Sequence, residues 1–235
     1  MKHSALQRSA LALLTAVIPC ALWAQAPAPA VPGGPPQASA SSAALVLPQW
    51  AQDKLAALRT DPKAFDTAYK QGAKVATFCE NCHGPSGHSI KPEVPNLAGQ
   101  NTIYVLNQLN KFHEGKRGDA FFMEDLVKAM SKDELFAVSI YYTTQQPKIT
   151  PPADAALAAK GQSIYAMNCK FCHGESGHGN EMIARIAGQQ ALYMTNTIRR
   201  YRENKLRSDS RMYTATQALS EGDIKALVAY VGSMQ

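Results

Sequence analysis

The sequence predicts an all-α fold built twice over, and three observations carry that expectation. A stretch of nearly ninety residues is written two times in register. Apolar residues recur at three- and four-residue spacing through the long segments of both copies, which marks helices with one buried face. No run alternates apolar and polar residues for long enough to make a strand.

The chain begins with a segment that stands outside this pattern. Lys2, His3 and Arg8 precede the apolar run Ala10–Ala24, and small residues follow. That order reads as a secretory signal peptide over residues 1–25. The run is shorter than the ~20 apolar residues a span needs, and Pro19 interrupts it, so no stable membrane span is expected after cleavage. A proline directly before Cys20 argues against a lipid-modified cysteine. Residues 26–47 form a Pro/Ala-rich leader with too few large apolar side chains to bury a core.

Export simplifies the cysteines. Cys20 leaves with the signal, and the mature chain keeps only Cys79, Cys82, Cys169 and Cys172. No thiols remain for a structural disulfide framework. Loss of Lys2 and Arg8 lowers the formal charge from +6 to +4. Residues 41–150 carry 12 basic and 11 acidic side chains, and residues 151–235 carry 10 and 7. Neither balance suits a nucleic-acid surface. The one basic run, Arg199–Arg211, reads as a solvated helix face. Its functional alternatives are pairing with carboxylates of a bound group or steering toward an acidic partner.

The repeat itself follows. "LAGQNTIYVLNQLNKF" (97–112) aligns with "IAGQQALYMTNTIRRY" (186–201) at an offset of 89, which holds through Met123 and Met212 to Ser131 and Ser220. Upstream the offset is 90, at Cys79 and Cys169. Two tandem domains are expected, residues 48–148 with an N-terminal helical extension and residues 149–235. The boundary falls in the proline-broken "QQPKITPPAD" (145–154). In each copy one helix leads into the cysteine motif and a second follows the AGQ. A third opens at "SKDE" (131–134) or "SEGD" (220–223), which fit a capping box and a near version of one.

The first copy holds "FCENCHGPSGH" (78–88) and the second "CKFCHGESGH" (169–178). A zinc site would bring its two cysteine pairs within some 12–20 residues of each other; here they are 90 apart. A thioredoxin-like redox pair would need a βαβ context, which is missing. C-x-x-C-H is the attachment signature of c-type haem. Cys79 and Cys82, and Cys169 and Cys172, would form the thioether links, with His83 and His173 brought onto the iron. Two such motifs in register, in an exported chain without other cysteines, point to two covalently attached c-type haems.

A sixth iron ligand should recur at matching positions. Met123 and Met212 do, 40 and 39 residues beyond His83 and His173. Met130 aligns with Leu219 and reads as core, while Met182 and Met194 have no methionine counterpart. His88 and His178 recur but lie too close behind the proximal histidines, and His113 reads as a surface residue. Histidine and methionine are therefore the expected ligands at both irons. Thioether ligation raises the potential and fills the site, so such a centre moves electrons and does little else.

With these motifs in place, the chain resembles cytochrome c4, a family of periplasmic dihaem electron carriers built from two class I cytochrome c domains. The resemblance covers about 64–234 and rests on CxxCHG, LAGQ, the Tyr104–Arg117 segment, the distal Met and the closing helix. It implies haems facing one another across a domain interface, periplasmic location, and redox protein partners: a terminal oxidase, a reductase or a dehydrogenase. Pro95 matches the proline whose carbonyl orients the proximal histidine in that family. Ala184 or Arg185 stands near that place in the second copy, so the two haems are expected to be inequivalent. The "FFMEDL" around Met123 differs from the "SRMYTA" around Met212. The segment before the first domain is extra, with no role legible in it. The alternatives to a free carrier are an electron-transfer subunit of a periplasmic dehydrogenase, or a dihaem peroxidase, against which the paired methionines argue.

Overall fold

The computed structural model describes residues 47–117, 121–148, 154–203 and 210–234. The signal peptide and most of the leader lie outside these residues, as does part of the basic run. The described chain is helical, and among its residues the only β pairing is an isolated bridge between Asn180 and Ile183. The expected all-α class holds.

Helix α1 spans Gln49–Thr60 and α2 Pro62–His83. Asp61 caps α2 by accepting from the Lys63 N–H, and Pro62 occupies the first helical position, where no N–H is missed. After a 3-10 turn at Pro85–Gly87 come α3 (Thr102–His113), α4 (Phe121–Lys128) and α5 (Lys132–Thr143). The second copy gives α6 (Ala155–Asn168), α7 (Lys170–His173), α8 (Ala191–Arg202), α9 (Ser210–Thr216) and α10 (Glu221–Gly232). Both capping boxes form. Ser131 and Glu134 exchange bonds at α5, and Ser220 and Asp223 do so at α10.

The two copies pack alike. Helix α2 lies along α5 as α6 lies along α10. Gly72 meets the backbone of Ala137, and Gly161 meets that of Ala226, in the same register. Every apolar cluster among the described residues draws on one copy alone. Hydrophobic burial therefore holds each copy together, and hydrogen bonds such as Gln189 to Asn96 and Gln100 to Arg185 join the two.

The extra segment before the first domain has a structural task. Helix α1 lays Trp50, Leu55 and Leu58 against a cluster that includes Leu106, Phe136 and Ile140. Lys54 pairs with Asp133 at 2.6 Å and sits over the Phe136 ring. At the offset of 89, the second copy has Thr195, Lys225 and Ala229 in place of those three residues. That face suits water, and it needs no covering helix.

Candidate functional site

The first motif ends one continuous helix, which places Cys79 one turn before the adjacent Cys82 and His83 of α2. Gly84 ends the helix at φ 72, ψ 168, a conformation essentially closed to other residues. The second motif is built differently. Helix α6 stops at Asn168, Cys169 takes non-helical angles, and α7 restarts at Lys170. The packing explains the break. From Gly72 to Cys79 is seven residues and from Gly161 to Cys169 is eight. The extra residue is absorbed at Cys169, and the turn after His173 is one residue shorter. The sequence offset alone located only the second of these adjustments.

Both motif histidines, His83 and His173, are buried and both use Nδ1 on a backbone carbonyl. His83 Nδ1 donates to the Pro95 carbonyl at 2.9 Å, and His173 Nδ1 to the Ala184 carbonyl at 2.9 Å. A carbonyl can only accept, so Nδ1 carries a proton in each ring, and in the neutral imidazole the lone pair is then on Nε2. Burial holds the His83 imidazole below its ordinary pKa, with the Pro95 carbonyl opposing, and so favours the neutral, ligating form. The proline is dispensable for this bond, because the acceptor is main chain. Ala184 supplies the same oxygen.

A cavity of about 460 Å³ runs between the copies, its walls largely apolar. Cys79, Cys82, His83 and Met123 line it from the first copy, and Cys172, His173 and Met212 from the second. Cys169 is absent from the wall. It packs against the second core, and burial pushes its thiol up to about 12. No disulfide joins the four motif cysteines. Met130, Met182 and Met194 also reach the cavity, so position alone does not single out the aligned pair. Met123 and Met130 both pack against the Phe112–Val127–Leu135 cluster, and Met194 belongs to the second core.

These features fit covalently held haem. The wall offers cysteine sulfurs and imidazole rings around an apolar space. It also offers the Arg185 guanidinium, whose buried Nε has no hydrogen-bond partner and whose pKa is lowered by burial. A buried N–H facing a cavity calls for an anionic acceptor, which the carboxylate arms of haem would supply.

The other sequence candidates divide between the cavity and the packing around it. His88 makes contacts with the Pro85 and Gln146 carbonyls, tying the first motif to the end of the first copy. His113, expected at the surface, is half-buried and bonds the Val127 carbonyl at 3.2 Å, joining α3 to α4. In the basic run, Arg199 and Arg202 both pair with Glu221, while Arg200 and Arg211 line the cavity.

Between the copies, five side-chain amides among the described residues make crossed bonds, that of Asn96 donating to the Gly188 carbonyl. Gln189 bonds the backbone of Asn96 and Gln100 that of Arg185, while Gln190 reaches the Ser89 carbonyl and Asn101 the His178 and Ile183 carbonyls. Sequence reading noticed AGQ only as an alignment anchor. The recurrence of its glutamine was the signal available, but its partners lie 85 to 93 residues away.

Comparison with known proteins agrees with this geometry. The Cytochrome c family model matches residues 158–235. A cytochrome c4 of Thiocapsa roseopersicina is 32% identical over 172 residues, covering 68% of this chain and 88% of that protein. The crystal structure of reduced recombinant cytochrome c4 from Pseudomonas stutzeri superposes with a TM-score of 0.66 at 26% identity, covering 71% of this chain and 98% of that one. A thiosulfate dehydrogenase electron acceptor of Thiomonas intermedia is 27% identical over 172 residues, covering 67% of this chain and 79% of that protein.

Proposed function

The chain belongs to the cytochrome c4 family, and from that premise we propose that it is a periplasmic carrier that moves electrons between respiratory partners and performs no substrate chemistry of its own. It is a dihaem electron-transfer cytochrome with two covalently attached c-type haems. The single observation that carries the reading is the matched pair of buried histidines, each fixed through Nδ1 to a carbonyl beside one shared cavity.

In this proposal residues 48–148 and 149–235 are the two cytochrome domains. Cys79 and Cys82, with Cys169 and Cys172, hold the two porphyrins. His83 and Met123 ligate one iron, and His173 and Met212 the other. When bound, the group supplies a one-electron ferric/ferrous couple whose potential thioether ligation raises. The chain's own residues do the rest. The Pro95 and Ala184 carbonyls orient the imidazoles, the apolar wall excludes water, and Arg185 presents a cation to a carboxylate. A filled sixth position leaves no place for peroxide, which supports a carrier over a peroxidase.

No described helix is long and apolar enough to cross a membrane, in keeping with a partner met by diffusion. The partners proposed are a terminal oxidase, a reductase or a dehydrogenase. Likeness to a thiosulfate dehydrogenase electron acceptor favours a second reading, a carrier dedicated to one dehydrogenase. Copurification with such an enzyme separates the two.

The test is a spectroelectrochemical titration of the exported protein and its Met123→Ala and Met212→Ala variants. Two low-spin haems are expected, with each substitution lowering the potential of its own site and leaving attachment intact. A potential that does not move refutes the ligand at that site, and a haem altered by added peroxide refutes the carrier role.

A further inference from the structure

Gln100 and Gln189 hold the same place in the two copies, and both are buried. Each directs its amide at the other copy. Gln189 Oε1 accepts from the Asn96 N–H at 2.7 Å, and its Nε2 donates to the Asn96 carbonyl at 3.1 Å. Gln100 Oε1 accepts from the Arg185 N–H at 2.6 Å, and its Nε2 donates to the Arg185 carbonyl at 2.8 Å. A backbone N–H only donates and a carbonyl only accepts, so the partners settle both amide orientations.

The Asn96 N–H belongs to the same peptide unit as the Pro95 carbonyl, which takes the His83 Nδ1 proton. The Arg185 N–H likewise shares a peptide unit with the Ala184 carbonyl, the acceptor for His173. One peptide unit therefore separates each proximal histidine from the glutamine of the opposite copy. Hydrogen bonds in series polarise one another. Accepting at the N–H end makes the carbonyl end a stronger acceptor, which draws on the Nδ1 proton and raises the basicity of Nε2. A more basic histidine favours the ferric state.

We propose that Gln100 and Gln189 are positioning residues acting crosswise, Gln189 on His83 and Gln100 on His173, so that each copy tunes the iron potential held by the other. The proposal rests on the reading of His83 and His173 as iron ligands. Its geometry also gives docking of the copies a redox consequence, because separating them breaks both relays at once.

The experiment uses the full dihaem protein, with its two potentials first assigned through the distal methionine variants. Gln189→Leu is expected to raise the potential of the His83 site more than that of the His173 site, and Gln100→Leu to do the reverse. The ¹⁵N-resolved Nδ1–H resonance of the affected histidine should move with it. Gln189→Glu and Gln100→Glu keep an acceptor oxygen, so the opposite site should return to the native potential or fall below it. Unmoved potentials overturn the proposal, as do equal shifts at both sites or a larger shift in the glutamine's own copy. So does a glutamate variant that behaves as leucine does. Loss of low-spin spectra in the native protein would defeat the ligand reading itself, whereas intact spectra with unmoved potentials defeat only the crosswise role.

Discussion

Substituting Gly161 by alanine tests how the second copy closes. Gly161 is the point where α6 crosses α10, and a Cβ there would stand 2.0 Å from the Ala226 carbonyl oxygen and 2.8 Å from the Tyr230 Cβ. Cβ contacts below 3.0 Å essentially do not occur, so the helices would have to part by about 1 Å. The obstructing atoms are main chain and a Cβ, and no rotamer change relieves them. Overpacking of this kind costs ~1–3 kcal/mol, and the better helix propensity of alanine returns roughly 1 kcal/mol. With the strain near the upper end, the net loss is about 2 kcal/mol. Gly222 in α10 is the control. Its Cβ would have Ser220 Oγ at 3.7 Å as neighbour, so Gly222→Ala should stabilise by up to ~1 kcal/mol. Guanidinium unfolding of the haem-loaded protein, followed by circular dichroism, reads both midpoints. A Gly161→Ala midpoint at or above the native one, or shifts of the same sign in both variants, would refute the reasoning.

Two further outcomes follow from the same packing. Trp50→Ala should destabilise the first copy by about 2 kcal/mol, less than a fully buried tryptophan because Trp50 is half-buried; a melting temperature equal to the native one would show that α1 contributes nothing to the core. The capping carboxylates Glu134 and Asp223 sit below their ordinary range, Glu134 through the Ser131 N–H and then its hydroxyl, and Asp223 through the Ser220 hydroxyl and then its N–H. A carboxylate depressed on folding contributes stability that is present above its unfolded value of about 4 and is lost as pH falls through the lower folded value. Denaturation midpoints should therefore fall below pH 4, by less in a protein carrying Ser131→Ala and Ser220→Ala. Identical acid dependence in the two proteins would contradict the assignment.

Much of the site was legible in the sequence because its chemistry is local. Cysteine, cysteine and histidine within five positions meet on adjacent helix turns whatever surrounds them, and their recurrence in an exported chain made haem the reading. The capping boxes were legible for the same reason, since Ser131 and Glu134 are three residues apart. Cys169 shows where locality ends. The repeat predicted two like motifs, but one residue inserted after Gly161 interrupts the helix at Cys169 and takes that side chain out of the cavity wall that Cys79 lines. His113 was misplaced at the surface because its partner, Val127, lies on the next helix.

By itself, then, the sequence determined the helices, their double occurrence and the covalent group each copy carries, all of which depend on contacts spanning a few residues. Tertiary structure decided what depends on chain segments far apart: that α1 covers an apolar face present only in the first copy, that Ala184 replaces Pro95 without loss of the histidine bond, and that Gln100 and Gln189 cross between copies. A side-chain amide carries no pattern announcing its partner. Only when the two cores have formed are the peptide units of Asn96 and Arg185 brought within hydrogen-bond reach, and burial away from water then makes those bonds obligatory.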